Sequence, residues 1–121
     1  MLVVEDHDDA REFIAVALER CDAAVTTATS VESALAAFER VSPDVVVSDL
    51  GMPGEDGYAL IRRLRELPPE RRGRVRTLAV TAYARLEDRD VALAAGYDRY
   101  LAKPIDPIDL AVAVAELAQR S

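Results

Sequence analysis

The sequence predicts an α/β fold: a doubly wound, five-stranded parallel sheet with strand order 2-1-3-4-5 and five helices. Three observations predict it. Short apolar runs alternate with helix-period stripes five times along the chain, the pattern of parallel strands joined by helical crossovers and covered on both faces. Right-handed crossovers then wind such a sheet in both directions from its centre. The 121 residues match one domain, 1–121, and area scaling expects a folded surface of roughly 6,400 Å² against roughly 19,000 Å² unfolded, enough for a core without staples. Half the residues are hydrophobic and 31% are charged, an ordinary globular balance that excludes disorder, collagen and coiled coil.

The elements follow in order. Leu2, Val3 and Val4 form a short apolar run that ends in acid, Glu5-Asp6. A helix follows, with Phe13, Ile14, Ala17, Leu18 and Cys21 on one side and Asp8 or Asp9 as its cap. Residues 24–28 read as a small β-rich strand. Ser30 caps the next helix, where Val31, Ala34, Leu35, Phe38 and Val41 make an i, i+3, i+4 stripe that Pro43 stops. Val45, Val46 and Val47 form a buried strand ending at Asp49. Residues 51–57 are a loop by composition. Leu60, Ile61, Leu64 and Leu67 give the third helix, ended by Pro68-Pro69. Residues 75–81 form the fourth strand and 86–95 a weakly patterned helix, with Gly96 as its stop. Residues 97–102 are the fifth strand, broken at Lys103-Pro104, and Asp106 or Asp109 starts the last helix, with Leu110, Ala113, Val114 and Leu117 inward. The strand order is the flavodoxin-like one.

Charge and cysteine content narrow the classes of function. Fifteen basic and 22 acidic side chains leave a net charge of −7, a poor balance for direct nucleic-acid binding. Seven arginines between Arg62 and Arg76 cluster in sequence, but two prolines and a glycine interrupt them. They read as a solvated helix face and loop. No uncharged stretch approaches the roughly 20 residues needed to cross a bilayer, and the start has no basic, apolar, small-residue leader. No membrane association is expected, and a reducing cytoplasm fits. Cys21 is alone, which excludes an intrachain disulfide, and it reads as a small buried apolar residue.

In such a sheet, ligands bind outside the carboxyl ends of the strands. Those ends carry Glu5-Asp6, Asp49, Thr81 and Lys103, on strands that are neighbours in the predicted order. Three convergent carboxylates repel unless something positive sits among them. Hard oxygen ligands suit Mg²⁺ better than Zn²⁺. A carboxylate beside Mg²⁺ and a lysine can attack phosphorus to give an aspartyl phosphate, with metal, lysine and hydroxyl stabilising the phosphoryl oxygens. Asp8 and Asp9 read as cap and first-turn charges, and His7 as an exposed bystander.

Four segments, Val3-Val4-Glu5-Asp6, residues 48–57, Val80-Thr81-Ala82 and Tyr100-Leu101-Ala102-Lys103-Pro104, make the chain resemble the receiver domains of two-component response regulators over its whole length. The resemblance implies a phosphorelay component that accepts a phosphoryl group from a histidine kinase or histidine phosphotransfer protein. It catalyses only its own phosphorylation and dephosphorylation and is not a metabolic enzyme. Asp49 is then the phosphoacceptor, Asp6 a direct Mg²⁺ ligand, Glu5 a ligand through water, and Gly51 a backbone-carbonyl ligand. Thr81 bonds the phosphoryl group, Lys103 pairs with it, and Tyr100 is the switch aromatic. The partner surface, including a possible homodimer, is the fourth and fifth helices with the fifth strand. Gly51 and Tyr83 stand where side chains often tune dephosphorylation, which points to slow hydrolysis. The last helix lacks the basic residues of the winged-helix regulators, so the chain looks more like a receiver of a hybrid sensor kinase. The resemblance also implies a cis Lys103-Pro104 bond, and so does the tight reversal that Lys103 needs to face Asp49.

Other classes fit less well. A Mg²⁺-dependent aspartyl hydrolase of the haloacid-dehalogenase type needs a second Asp at position 51, which is glycine. A flavin-binding protein needs a Ser/Thr/Gly-rich loop after the first strand, whereas this one is Asp-rich. A receiver-like interaction module without phosphorylation is the remaining alternative.

Overall fold

Successive residues of a strand face opposite sides of the sheet, and the central strands of this chain are apolar on both sides. The structure is a computed structural model that describes residues 1–51, 56–68, 70, 75–82 and 86–119, with the side chains of 86 and 87 excepted. The expectations placed on residues 52–55 of the loop and on Tyr83, Arg71, Arg72 and Arg74 lie outside these residues. The strands are β1 (Leu2–Val4), β2 (Thr26–Ala28), β3 (Val45–Asp49), β4 (Arg76–Thr81) and β5 (Arg99–Ala102). They pair in parallel in the order β2-β1-β3-β4-β5. The helices are α1 (Asp8–Glu19), α2 (Val31–Val41), α3 (Gly57–Glu66), α4 (Leu86–Ala95) and α5 (Pro107–Gln119).

The pleat divides the core. Leu2, Val4 and Val46 pack with α2 and α3, while Val3, Val45 and Val47 pack with α1 and α5. A third cluster joins Leu50, Ile61, Ala79, Ala92 and Tyr97, with Tyr100 against it. The accessible surface is 6754 Å², close to the size expectation.

Helix ends show where local chemistry rules. Ser30 and Ser33 form a reciprocal capping box at α2, and Asp106 accepts from the amides of Ile108 and Asp109 to start α5. Asp56 caps α3 through Tyr58 and Ala59. Neither Asp8 nor Asp9 caps α1. The cap position is His7, whose side chain makes no capping bond, and both aspartates lie in the first turn, where the helix dipole favours them.

Several expectations are corrected by packing. Phe13 and Val41, assigned to inward stripes, are 44% and 39% exposed, and Cys21 is exposed rather than buried. Phe13 lies at the rim of its helix stripe and Val41 at the last position of α2, where periodicity alone does not decide burial, and Cys21 lies in the turn beyond the end of α1. Strands β2 and β5 are shorter than expected: Tyr97 precedes β5 and turns inward, its hydroxyl donating to the Gly57 carbonyl at 2.7 Å. Gly96 has φ 124°, a conformation that suits glycine at the end of α4. The Lys103-Pro104 bond is cis, as expected.

The largest correction concerns the arginine cluster. Arg62 and Arg63 are exposed, but Arg65 folds against the amino ends of β4 and the edge strand β5. Its guanidinium donates to the carbonyls of Val75 (2.7 Å) and Gly96 (2.8 Å), to the Thr77 hydroxyl (3.0 Å) and to Asp98 (3.2 Å). Asp98 in turn accepts from the Thr77 amide at 2.8 Å. Five donors in a rigid fork make arginine able to close such a network.

Candidate functional site

Parallel pairing brings the carboxyl ends of β1, β3, β4 and β5 to one edge. Leu2 aligns with Val46, and Asp49 with Val80, so the residues that follow β1 meet those that end β3. One oxygen each from Glu5, Asp6 and Asp49 lies within 4.8 Å of the others. Glu5 is only 1% exposed and Asp49 7%, while Asp6 is half-buried.

Lys103 answers this charge. Its Nζ donates to Glu5 Oε1 at 2.8 Å and stands 3.6 Å from Asp49 Oδ1. The lysine expected beside Asp49 is thus there, but its shorter contact is with Glu5. Burial lowers the affinity of the lysine for its proton, yet pairing with Glu5 and Asp49 outweighs this and holds its pKa above the usual value. Glu5 is left with one unmet atom: Oε2 is buried and has no hydrogen-bond partner among the described residues. Burial, then the neighbouring Asp49, pushes Glu5 up to about 7 despite Lys103. An unpartnered buried carboxylate oxygen beside two more carboxylates is a hard-oxygen donor set, and a divalent cation fits it.

The remaining expected residues take these places. Thr81 is fully buried at the last position of β4, one residue past the register partner of Asp49, and its carbonyl accepts from the Lys103 amide at 2.7 Å. The Gly51 amide donates to Asp49 Oδ1 at 3.4 Å. Tyr100 is half-buried on β5, paired in register with Ala79 and packed against the third core cluster. His7 is exposed beside the site.

Three positioning residues were not read from the sequence. Arg11 donates to the Glu5 carbonyl at 3.1 Å and to Asp8 at 2.6 Å, bracing the acidic turn; its spacing three residues after Asp8 was the available signal. Gly57 sits so close to the end of β3 that an added Cβ would lie 2.5 Å from the Asp49 carbonyl. Tyr97 holds that same glycine, and burial pushes its phenol pKa up, so the hydroxyl stays a donor. No local pattern announces either role.

The doubly wound parallel sheet gathers carboxylates, a hydroxyl and a lysine at its switch-point edge, where sheets of this kind bind their ligands. Residues 1–115 match the family model described as the response regulator receiver domain, and the chain belongs to that family. A 14.6 kDa uncharacterised protein of Leptolyngbya boryana is 46% identical over 110 residues, covering 91% of this chain and 82% of that protein. The transcriptional regulatory protein CseB of Streptomyces avermitilis is 36% identical over 99% of this chain, which spans 49% of CseB. A response regulator structure from Chloroflexus aurantiacus superposes with a TM-score of 0.91 at 32% identity, covering 98% of this chain and 96% of that one. The receiver domain of a histidine kinase from Syntrophus aciditrophicus gives 0.86 at 28%, covering 99% and 92%. Relatives thus include transcriptional regulators as well as a sensor kinase. Among the described residues no helix is long and apolar enough to cross a membrane.

Proposed function

We propose that this receiver accepts a phosphoryl group on Asp49 from the phosphohistidine of a histidine kinase or histidine phosphotransfer protein, in a Mg²⁺-dependent reaction in the cytoplasm. The observation that carries the reading is the buried, unpartnered Glu5 Oε2 beside Asp6 and Asp49, with Lys103 3.6 Å from the acceptor carboxylate. Asp6 and Asp49 would hold the cation directly, Glu5 through water, and Gly51 through its carbonyl. Bound there, Mg²⁺ neutralises the carboxylates and draws phosphoryl oxygens to the site. An Asp49 carboxylate oxygen forms the new P–O bond as the donor's P–N bond breaks, and the departing imidazole takes up a proton from solvent. Lys103 then pairs with the phosphoryl oxygens instead of Glu5, and the Thr81 hydroxyl donates to them. This is self-directed chemistry and not turnover of a metabolite.

Movement of Thr81 towards Asp49 makes room for Tyr100 to turn inward, a population shift of a few kcal/mol at most. The face formed by α4, β5 and α5 carries the signal to the partner, or to a second copy once phosphorylated. Incubation with acetyl phosphate and Mg²⁺, followed by intact-mass measurement, tests the chemistry. The wild type gains one phosphoryl group and Asp49→Asn gains none. A variant phosphorylated as efficiently as wild type overturns the assignment, and a wild type that stays unmodified with both acetyl phosphate and a phosphorylated kinase leaves an interaction module without phosphorylation.

A further inference from the structure

Tyr97 is buried and takes no part in the phosphotransfer step. It lies in the turn between α4 and β5, is 3% exposed, and packs among Leu50, Ile61, Ala79 and Ala92. Phenylalanine would fill that space as well, and a buried hydroxyl is costly unless it is bonded. Here it donates to the Gly57 carbonyl at 2.7 Å, across 40 positions of sequence. The Ser48 hydroxyl lies beside the same phenol and donates to the Asp49 carbonyl at 3.1 Å.

The bonded glycine is where α3 meets the acceptor strand. The Gly57 amide donates to the Leu50 carbonyl at 3.3 Å. A Cβ on Gly57 would fall 2.5 Å from the Asp49 carbonyl and 2.9 Å from Leu50 Cα. Gly51, the next residue, sends its amide to Asp49 Oδ1 at 3.4 Å. A displacement of Gly57 is therefore passed to residues 49–51, which include the acceptor. The other side of the contact is held by the sheet and α4: the Tyr97 amide donates to the Ala92 carbonyl at 3.2 Å, and the Asp98 amide to the Thr77 carbonyl at 3.1 Å. Gly57 opens α3, and helical bonding already gives its carbonyl one donor. The phenol takes the second lone pair, so what it adds to the helix is position.

We infer that the Tyr97 hydroxyl is a positioning group for the cation site: it latches Gly57 against β3 and so presents the Gly51 carbonyl beside Asp49. This rests on the phosphotransfer reading, in which that carbonyl is lent to Mg²⁺.

Mg²⁺ titration of Tyr97→Phe, followed by amide NMR shifts with no phosphoryl donor present, tests it. The variant keeps the wild-type circular dichroism spectrum, and its Mg²⁺ dissociation constant rises about fivefold, the scale of one buried hydrogen bond. Tyr58→Phe, which removes a phenol packed against the same cluster, leaves the constant unchanged. With acetyl phosphate, the Mg²⁺ concentration for half-maximal rate rises by the same factor in Tyr97→Phe, while the rate at saturating Mg²⁺ matches wild type. A merely destabilised fold would not split the two. By reciprocity, Mg²⁺ slows hydrogen exchange of the Gly57 amide in the wild type, a measurement that needs no variant. An unchanged dissociation constant in Tyr97→Phe overturns the latch. So does an equal weakening in Tyr58→Phe, or Gly57 exchange indifferent to Mg²⁺. A wild type that binds Mg²⁺ but gains no phosphoryl group defeats the phosphotransfer reading alone, since the titration decides the latch by itself. A wild type that binds no Mg²⁺ overturns both.

Discussion

At the amino ends of the strands, Arg65 is enclosed by two carbonyls, a hydroxyl and the Asp98 carboxylate, and its donors are met. At the carboxyl ends, three carboxylates cluster, two of them share one lysine, and Glu5 Oε2 has no partner among the described residues. Both regions bury charge beneath the same sheet, and α3 touches both, through Gly57 at one end and Arg65 at the other. The first satisfies its polar groups within the fold and contributes rigidity. The second leaves a deficit of positive charge that the fold does not fill, so it can respond to a cation or an anion from outside. A closed polar network locks strands together; an open one is available for function.

Arg65→Ala should break the closed end most severely. It strands the Val75 and Gly96 carbonyls and leaves Asp98 with Thr77 and only the longer Arg76 ion pair, and removing one member of a largely buried pair costs about 3 kcal/mol. Urea unfolding reads this as a lower midpoint with unchanged slope. A loss under about 1 kcal/mol would show that the network is no more than a surface ornament. Phosphorylation of the surviving folded fraction should persist, since the change lies at the far end of the sheet.

The open end should show itself through pH. Glu5 has a folded pKa of about 7 against an ordinary 4.5, so between these values the folded state holds a proton that the unfolded state has released. Stability contributed by Glu5 therefore falls as pH rises from about 4.5 to about 7, by on the order of 2–3 kcal/mol without metal. Glu5→Gln removes that part of the slope and is the more stable protein at pH 8. Parallel pH profiles of wild type and variant in chelator would contradict the buried, strained carboxylate.

Gly57→Ala sharpens the comparison by pressing on the element that joins the two ends. The new methyl meets the Asp49 carbonyl and Leu50 backbone, so α3 or β3 must shift, at about 2 kcal/mol. Unlike Arg65→Ala, it should also slow phosphorylation by acetyl phosphate, because the backbone it displaces carries Asp49. Equal phosphorylation rates in the two variants would mean that the ends are mechanically independent of α3.

The smallest effect is the metal response. Millimolar Mg²⁺ should raise the wild-type melting temperature by a few degrees, through about 1 kcal/mol of linkage. Asp6→Ala should abolish the rise and, by removing one repelling charge, leave the metal-free protein no less stable. A variant with an intact Mg²⁺ response would remove Asp6 from the donor set.

Sequence by itself determined the strand count, the order and the acidic edge. Apolar periodicity reports which faces must be buried, and crossover handedness then leaves few arrangements, so Glu5, Asp6, Asp49, Thr81 and Lys103 could be placed at one edge before any coordinate was known. Helix caps with a local partner, such as Ser30 with Ser33, were legible for the same reason: the interaction spans three residues. Tertiary structure alone decided how buried polar groups are shared. Lys103 meets Glu5 across 98 positions, and Arg65 reaches Gly96 across 31. In sequence Arg65 looked like one more exposed arginine, and Phe13 and Cys21 like core. Whether a rim residue is buried, and which carboxylate takes a lysine, depends on distances between elements that each obey their own local pattern. Periodicity fixes direction around a helix, but only packing fixes what stands there.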